Sequence, residues 1–362
     1  MRILLCADIR RGGVSGFYDA VRRRLTGNID FLPIGSREER SGLTRTVKRF
    51  FADNLAYYRL LRDNSYDIVH LNPSLDPKAV IRDGILLWIA RRHEVKAVVF
   101  FHGWTKSFES TLSKYFLWPF KRLFSQASII LVLCSDFKSA LQEMGFPNTI
   151  RVVTTAVDDE VFSPSIDETL SSKYANLRDG IEILYLGRIE RPKGIYETLE
   201  AFRIVQRRVP GIRLTIAGDG SELNNAKGYV SANAIAGVTF AGHVAGQVKF
   251  DVFVKADIFL FPTYGEGLPV ALLEAMAYGL PVVSRPVGGI KDFFEQGTMG
   301  FLAQSLNPEE FADHLENLIN NPALRHEISV FNRQYAKLHF SASKVAGVFS
   351  RIYDEVLEET RT

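Results

Sequence analysis

The 362-residue sequence has few cysteines and no long apolar run, and both shortages restrict its class. The two cysteines, Cys6 and Cys134, each lie inside an apolar run, so a disulfide has weak support and a cytosolic chain is the simpler interpretation. The most apolar stretches, residues 85–90 and 129–134, are far shorter than the roughly 20 residues of a membrane-spanning helix. Charged residues at positions 8, 10 and 11 interrupt the apolar N-terminus, which argues against a signal peptide.

Sequence patterns for metals and for dinucleotides are missing as well. No Asp-x-Asp occurs, and histidine and cysteine are not clustered, so a metal site lacks support. The glycines at positions 12, 13 and 16 do not form the Gly-x-Gly-x-x-Gly fingerprint, which removes support for a nicotinamide cofactor. We therefore expect a protein that needs neither a metal nor a cofactor.

Charge is distributed unevenly along a chain of globular composition, with 46% hydrophobic and 23% charged residues. Residues 1–164 contain 24 Lys and Arg against 17 Asp and Glu, whereas the rest contains 20 against 24. A basic first half suggests an anionic partner, such as a membrane surface, a phosphorylated lipid or a nucleic acid. A solvated surface of mixed charge is an equally good interpretation of charge alone.

Short β-branched runs alternate with helix-length segments in two successive series, which predicts two doubly wound α/β domains with parallel sheets. The boundary is expected near residue 164, giving domains 1–164 and 165–340, and a C-terminal amphipathic helix over about 341–362. Ligands bind at the carboxyl ends of such strands, so we expect the site in a cleft between the domains. The predicted strands are residues 3–7, 30–33, 68–71, 97–101, 129–133 and 150–153, then 181–186, 213–217, 238–240, 258–261, 281–284 and 300–302.

The strongest chemical signal is a strand, a glycine-rich turn and a helix within residues 261–284. Free N–H groups from Gly267 onward, together with the helix dipole, suit a diphosphate. Pro269 cannot donate, so the donors would be the backbone groups of Gly267, Leu268 and Val270. Glu266 precedes the helix, and Glu274 within it can accept hydrogen bonds from sugar or ribose hydroxyls. Taken alone, the segment is more simply an ordinary strand–helix unit with a capping carboxylate.

Four further segments follow predicted strands and have weaker signals. Arg188 and Lys193, after Gly187, could bind a leaving diphosphate, although two exposed surface cations are commoner. The turn that contains Val244 is ordinary turn chemistry. His102 follows two phenylalanines and is compatible with a satisfied, partly buried histidine. Gly13 and Val14 belong to a glycine-rich loop for which a plain turn is an equal alternative.

Together these segments resemble the retaining glycosyltransferases of family 4. Glu266 and Glu274 match that family's Glu-x7-Glu signature, and Glu-Ala-Met-Ala-x-Gly-x-Pro-Val-Val follows. The resemblance implies the GT-B fold, with two facing Rossmann-like domains and a C-terminal helix that crosses back to the first. The sequence departs from the family at Thr155, where asparagine is usual, and at Leu268-Pro269, where Phe-Gly is commoner.

The resemblance also implies a role for each candidate residue. Arg188 and Lys193 would hold the donor diphosphate, and Glu274 the ribose. Glu266 and His102 would contact the donor sugar. The remaining donor-binding positions would act largely through backbone groups, and they are Gly13, Val14, Gly187, Val244, Gly267, Leu268 and Val270.

The implied activity is transfer of a hexose from a UDP- or GDP-sugar to an acceptor hydroxyl, with retention of configuration and without a metal. The second domain would bind the donor, and the first would bind a glycan or lipid-linked glycan acceptor, as in polysaccharide, lipopolysaccharide or glycolipid synthesis. No nucleic acid partner is expected. An epimerase acting on nucleotide sugars and a non-catalytic binding protein are the alternatives.

Two segments of mixed aromatic and cationic character, residues 44–62 and 115–124, suit a membrane interface. Core-facing helices with snorkelling cations would have the same pattern. The corresponding prediction is a cytoplasmic protein held reversibly on the inner face of the cell membrane, since many members of the family reach lipid-linked acceptors in that way.

Overall fold

A computed structural model of the chain describes residues 1–7, 13–35, 43–175 and 180–358. The chain divides into two compact units. The first contains Met1–Ala156 together with Ala342–Thr362, and the second is Val157–Ser341. Each unit is built around its own six-stranded sheet.

The first sheet is entirely parallel, with strand order β2-β1-β3-β5-β7-β8. Its strands are apolar and mostly buried, because helices cover both faces of a doubly wound sheet. The six predicted strands of this half are confirmed. Two additional two-residue strands, β4 and β6, pair with each other, and they are too short to leave a periodic pattern. The strands are β1 (Arg2–Ala7), β2 (Asn28–Pro33), β3 (Ile68–Leu71), β4 (Ser74–Leu75), β5 (Lys96–Phe101), β6 (Gly103–Trp104), β7 (Ile129–Val132) and β8 (Ile150–Val152).

Helices connect these strands, and α3 shows how the sequence sets their bounds. Asp76 precedes this helix, and its side chain accepts hydrogen bonds from the backbone N–H groups of Lys78 and Ala79. Pro77 occupies the first helical position, where its missing N–H costs nothing. The helices are α1 (Gly13–Val21), α2 (Leu43–Asp63), α3 (Pro77–Arg92), α4 (Lys106–Thr111), α5 (Leu117–Phe124) and α6 (Ser135–Glu143).

The second sheet repeats the architecture, with parallel strands in the order β11-β10-β9-β12-β13-β14. All six predicted strands of this half are confirmed. They are β9 (Glu182–Leu186), β10 (Arg213–Ala217), β11 (Val238–Gly242), β12 (Ile258–Leu260), β13 (Val282–Ser284) and β14 (Gly300–Leu302). The helices are α7 (Pro164–Ala175), α8 (Ile195–Arg208), α9 (Leu223–Ala232), α10 (Gly246–Lys255), α11 (Val270–Ala277), α12 (Ile290–Phe293), α13 (Pro308–Asn320) and α14 (Pro322–His339).

The structure divides the chain at residues 156 and 157, whereas the sequence suggested a boundary at residue 164. The N–H of Val157 donates to the carbonyl of Phe340 over 2.8 Å, and Val157 forms a β-bridge with Ser341. Since both partners belong to the second unit, residues 157–164 belong to it as well. Backbone pairing across the sequence sets this boundary, and local composition does not reveal it.

The C-terminal helix α15 (Ala342–Glu358) returns to the first unit, as the sequence predicts. Its buried face packs against α1 and includes Val345, Phe349, Ile352 and Tyr353. This periodicity of three and four residues is the pattern from which the helix was predicted. Among the helices that the structure describes, none combines the length and apolarity that a bilayer crossing requires.

Candidate functional site

The candidate residues of the second unit gather at the carboxyl edge of its sheet. Gly187 and Arg188 directly follow β9, and Glu266 lies in the turn after β12. Because β9 and β12 are neighbouring parallel strands, their C-terminal turns meet at one edge. The fold thereby brings together residues that are more than seventy positions apart, such as Lys193 and Glu266.

Lys193 and Glu266 form a close ion pair. The Lys193 ammonium lies 2.5 Å from Glu266 Oε1, and the two side chains are only 15% and 13% exposed. Thr263 Oγ1 donates to the same carboxylate oxygen over 3.1 Å. Gly194 directly follows Lys193 and has a φ of +76°. Its backbone lies so close to the turn after β12 that a Cβ would be 2.0 Å from the carbonyl oxygen of Pro262. The predicted diphosphate ligand Lys193 is therefore held against the predicted sugar ligand Glu266.

Arg188 is placed differently, because its side chain is 68% exposed. Its Nη1 donates to Glu190 Oε1 over 2.9 Å, two residues along the chain. Its backbone carbonyl accepts a hydrogen bond of 2.8 Å from the buried Tyr185 hydroxyl. The backbone at Arg188 is thus fixed, while the guanidinium is largely exposed and paired with Glu190.

The turn from Glu266 to Glu274 has the backbone donors that the sequence suggests. Helix α11 begins at Val270 with Pro269 as its N-cap, and no side chain caps it. In the described part of the chain, the N–H groups of Gly267, Leu268 and Val270 donate to no protein acceptor. Unsatisfied N–H groups at a helix start form a site for an anion.

A second glycine turn supports this segment from β13. The N–H of Gly289 donates to the carbonyl of Gly267 over 2.6 Å. Gly288 has a φ of +52°, and a Cβ there would lie 1.8 Å from the carbonyl oxygen of Glu266. Only glycine allows the two turns to approach this closely.

Glu274 has a partner that sequence reasoning missed. Lys249 Nζ lies 2.6 Å from Glu274 Oε1, with the side chains 33% and 16% exposed. Burial raises the pKa of Glu274, and the charge of Lys249 opposes that rise. Lys249 lies in the first turn of α10, where the helix dipole disfavours a cation. That unfavourable placement is a signal from which Lys249 could have been identified.

Val244 lies in the turn between β11 and α10, and it is buried, whereas His243 beside it is exposed. The N–H of Gly218 donates to the carbonyl of Gly242 over 2.7 Å, which joins the turns after β10 and β11. Since α10 also carries Lys249, the turn at Val244 is connected through one helix to Glu274. The positions predicted for the base and the ribose are therefore neighbours in the fold.

His102 belongs to the first unit and follows β5. Its backbone N–H donates to the carbonyl of Pro73 over 3.1 Å, and its ring centroid lies 3.7 Å from that of Phe100. Burial, and the nearby His70, lower the pKa of His102 well below its ordinary value. The ring is therefore neutral at physiological pH, which allows it to contact a sugar without introducing charge.

The glycine-rich loop of the first unit is described only in part. Gly13 begins helix α1, and the backbone of Val14 continues it. Residues 8–12 and the side chain of Val14 lie outside the described residues. The donor contacts suggested for Gly13 and Val14 remain predictions. Within the described ranges, no three His, Cys, Asp or Glu side chains are grouped so that they could hold a metal ion.

Two family models match the chain, one to each half. Residues 27–161 match the model described as Glycosyltransferase Family 4, and residues 167–335 match Glycosyl transferases group 1. A capsular polysaccharide biosynthesis glycosyltransferase, CapM of Staphylococcus aureus, is 28% identical over 53% of this chain and 50% of its own length. A D-inositol 3-phosphate glycosyltransferase of Paenarthrobacter aurescens is 30% identical over 58% of this chain. The match covers 52% of that relative, so the chain spans about half the length of these two curated relatives.

Solved structures match over almost the whole chain. The sucrose-phosphate synthase of Thermosynechococcus elongatus has a TM-score of 0.74 at 17% identity, covering 99% of this chain and 100% of its own. HepE of Anabaena, solved with UDP-glucose, has a TM-score of 0.71 at 17% identity, with coverage of 99% and 100%. At this identity the likeness establishes the fold alone. The two family matches identify the chain as a member of the family 4 glycosyltransferases, and the structural likeness gives the GT-B fold of two Rossmann-like domains.

Proposed function

We propose that this glycosyltransferase moves a hexose from a UDP- or GDP-sugar to a hydroxyl of a glycan or lipid-linked glycan, with retention of configuration and without a metal. The observation that carries the proposal is the Lys193–Glu266 pair of 2.5 Å beside the unpaired N–H groups of Gly267, Leu268 and Val270. An ammonium and three backbone donors at one sheet edge suit a diphosphate. A carboxylate beside them suits the hydroxyls of the attached sugar.

In the proposed reaction, the bond between the anomeric carbon and the diphosphate oxygen breaks, and its electron pair stays on that oxygen. The acceptor hydroxyl oxygen bonds to the same carbon on the same face, and its proton passes to the departing phosphate. Arg188 and Lys193 stabilise the charge that develops on the diphosphate. Glu266 and His102 contact the sugar while it has oxocarbenium character. No residue forms a covalent intermediate in this scheme.

The other residues hold the nucleotide. Glu274 accepts hydrogen bonds from the ribose hydroxyls, and the backbone near Val244 contacts the base. Gly187, Gly13 and Val14 act through close backbone approach to the donor. Uridine is the first nucleotide to test, because HepE was solved with UDP-glucose and the pneumococcal GtfA with UDP and GlcNAc.

A thermal-shift and calorimetry screen of nucleotides and nucleotide sugars tests the donor site. A ligand present at 100 times its Kd adds about 2.7 kcal/mol to the free energy of unfolding, so a true donor gives a clear rise in Tm. We expect UDP or GDP, and the matching sugar, to raise Tm in the wild type and not in Lys193→Met. Absence of any response to all UDP- and GDP-sugars would contradict the proposal. Release of free sugar or epimer from the donor alone would indicate an epimerase instead.

The acceptor is proposed to be a cell-surface polysaccharide, lipopolysaccharide or glycolipid intermediate. CapM acts in capsular polysaccharide biosynthesis, and AmsK of Erwinia amylovora in amylovoran biosynthesis. We assign acceptor binding to the first unit and donor binding to the second. Transfer of radiolabelled sugar to lipid-linked and water-soluble acceptors, compared side by side, distinguishes the acceptor classes.

Membrane attachment is proposed from a surface of the first unit. Val47, Phe51, Leu55 and Tyr58 form an exposed apolar stripe along α2, so this helix does not turn these side chains into the core. Helix α3 packs against both α2 and α5, which places all three helices on one side of the unit. Further exposed apolar side chains on α3, in the segment before α5 and on α5 itself extend this stripe, and together they form what we call the aromatic surface. These additional side chains are Ile81, Trp88, Tyr115, Phe116 and Trp118.

Cations lie directly on the rings of the aromatic surface. The Arg92 guanidinium is 4.8 Å from the ring centroid of Trp88, and that of Arg122 is 5.6 Å from the ring centroid of Trp118. Aromatic rings with adjacent cations bind at the boundary between acyl chains and anionic headgroups. We therefore propose reversible attachment to the inner face of the cell membrane, from the cytoplasm.

Flotation with vesicles at low salt tests this attachment. We expect the wild type to float with anionic vesicles and to be released by high salt, since surface charges are screened. Trp118→Glu should stay at the bottom of the gradient. The control Leu338→Glu alters another exposed apolar residue, which lies in the second unit, and this variant should float normally. A wild type that ignores anionic vesicles rules out the attachment.

A further inference from the structure

Four buried polar side chains of the first unit form a hydrogen-bonded network with the partly buried His102. Tyr18 lies at its centre, and its hydroxyl donates to Asn72 Oδ1 in a short hydrogen bond. The same hydroxyl oxygen lies 3.4 Å from His70 Nε2 and 3.4 Å from His102 Nε2. His70 Nδ1 in turn lies 2.6 Å from the Tyr353 hydroxyl of α15. Each proton in such a network has to be assigned to one atom.

The amide of Asn72 can be oriented without ambiguity. Its Nδ2 donates to the backbone carbonyl of Cys6 over 2.9 Å. If the amide were flipped, its oxygen would face that carbonyl, and two acceptors would repel each other. Oδ1 of Asn72 therefore faces the Tyr18 hydroxyl, and an amide oxygen can only accept.

The single hydroxyl proton of Tyr18 is consequently used on Asn72. The Tyr18 oxygen then has only lone pairs left for the two histidines, so each imidazole has to present an N–H. His102 is protonated on Nε2 by this reasoning, and so is His70. The bare Nδ1 of His70 accepts from the Tyr353 hydroxyl, which agrees with the 2.6 Å separation of those atoms. One arrangement of protons satisfies all five groups.

Ionised alternatives are disfavoured because the network is buried. Burial lowers the pKa of His70 to about 3 and lowers the pKa of His102 well below its ordinary value. Burial likewise raises the pKa of the Tyr18 and Tyr353 hydroxyls. Both imidazoles are therefore neutral, and each has one N–H and one bare nitrogen.

We infer that Tyr18 is a positioning residue that fixes His102 as the Nε2–H tautomer and leaves its Nδ1 as a hydrogen-bond acceptor for a hydroxyl of the donor sugar. The sugar contact rests on the proposed function, whereas the tautomer does not. Among the described residues, no donor reaches His102 Nδ1, and the ring is only partly buried. A neutral acceptor at this position favours a nucleotide sugar that has the hydroxyl and disfavours one that lacks it, because the acceptor is then left without a hydrogen bond.

The tautomer can be measured on the ligand-free protein. Long-range ¹⁵N–¹H correlation spectra of histidine-labelled protein distinguish an Nε2–H from an Nδ1–H imidazole. We expect His102 to be the Nε2–H tautomer in the wild type, assigned by comparison with His102→Asn. In Tyr18→Phe, the Nε2–H of His102 loses the oxygen to which it donates. We therefore expect the Nδ1–H form of His102 to appear, or the two forms to interconvert. An Nδ1–H signal for His102 in the wild type overturns the inference.

Tyr353→Phe is the matched control, because it removes another buried hydroxyl of the same network without touching His102. Its His102 signals should stay those of the Nε2–H form. Unchanged His102 signals in a folded Tyr18→Phe would also overturn the inference. If Tyr18→Phe fails to fold, Asn72→Leu provides a second test, because it removes the acceptor of the Tyr18 hydroxyl proton. That proton can then be donated to a histidine nitrogen, so an Nδ1–H form of His102 or His70 should appear, and unchanged signals for both would overturn the inference.

The specificity readout uses mono-deoxy donor analogues. We expect Tyr18→Phe to lower kcat/KM for the complete donor about tenfold, the loss of one hydrogen bond. For the deoxy analogue that the wild type uses least well, kcat/KM of the variant should change by less than about twofold. The variant would then no longer discriminate between the complete donor and this analogue. Equal losses for both donors contradict the contact through Nδ1. If the wild type transfers no sugar at all, the proposed function fails, while the tautomer result is unaffected.

Discussion

The candidate residues of the two units lie in opposite electrostatic environments. In the second unit, the predicted ligands are charged and already paired, as Lys193 with Glu266, Lys249 with Glu274, and Arg188 with Glu190. In the first unit, His102 lies in a network of neutral groups around Tyr18. The candidate residues of the second unit hold their charge in ion pairs, whereas burial keeps the network around His102 in the first unit neutral.

The difference indicates how each half would treat a nucleotide sugar. A diphosphate carries negative charge and would compete with the carboxylate of Glu266 for the Lys193 ammonium, so we propose that binding exchanges one anion for another at small electrostatic cost. The carboxylate that is displaced then becomes available to sugar hydroxyls. A neutral imidazole makes no such exchange, and its contribution is directional. In this proposal, charge recognition belongs to the second unit, whereas hydroxyls are recognised by both units.

The largest effect is expected for Lys193→Met, which removes the cation and leaves Glu266 without its partner. We expect kcat/KM to fall at least about 100-fold, because a largely buried charge-assisted contact is lost and a carboxylate is left opposite the diphosphate. Steady-state kinetics of sugar transfer provide the measurement. Arg191→Met, which removes an exposed cation two residues away, is the control and should stay within about twofold.

Gly288→Ala tests whether the glycine turn holds Glu266 in place for this exchange. The new Cβ would lie 1.8 Å from the carbonyl oxygen of Glu266, so the turn has to move. We expect a loss of donor affinity and a free energy of unfolding lower by about 1–3 kcal/mol, measured by calorimetry and urea unfolding. Gly297→Ala has a similar positive φ of +82° with open space around it, and it controls for backbone strain alone. Equal effects of the two changes would show that the close approach is unimportant.

Arg188→Ala should lower kcat/KM about tenfold, less than Lys193→Met, since the side chain is exposed and its partner Glu190 lies in solvent-accessible surroundings. Tm should be unchanged, because an exposed ion pair contributes little to stability. Parallel kinetics and thermal unfolding separate the two effects. Transfer at wild-type rates by both Arg188→Ala and Lys193→Met would contradict the mechanism.

The smallest effect concerns stability and comes from Glu274→Gln. Burial raises the pKa of Glu274 above its unfolded value, so the folded state loses stability as the pH rises through that pKa and the carboxyl ionises. Glutamine does not titrate. The variant should therefore gain in Tm relative to the wild type as the pH rises, and should match it in acid. Donor affinity should fall at the same time. A pH-independent difference in Tm would contradict the assigned pKa direction.

Sequence reasoning predicted what is local and missed what depends on contacts between elements. Continuous apolar runs predicted all twelve strands of the two six-stranded sheets, and glycine spacing predicted the turn at Gly267. Both signals are properties of a few consecutive residues. The pairing of Lys249 with Glu274 joins two helices through residues that are 25 positions apart in sequence. Tyr18 and His102 are 84 residues apart. No periodicity or motif connects such positions, since the fold alone brings them together.

The aromatic surface is a second case in which contacts between elements decide what the sequence leaves open. For residues 44–62, the sequence allowed either a core-facing helix or an interfacial one. In the structure, Asp53 and Tyr57 of α2 are buried, whereas Phe51 and Leu55 are exposed. Hydrophobicity alone would bury Phe51 and Leu55 and expose Asp53. The burial of Asp53 depends on contacts with other segments, such as its hydrogen bond from the N–H of Gly35.

A crystal structure with a bound nucleoside diphosphate tests the central claim of charge exchange most directly. We predict that Lys193 Nζ contacts a phosphate oxygen and has left Glu266 Oε1, from which it lies 2.5 Å in the unliganded protein. The N–H groups of Gly267, Leu268 and Val270 should point at the same diphosphate. A bound diphosphate beside an intact Lys193–Glu266 pair would contradict the account.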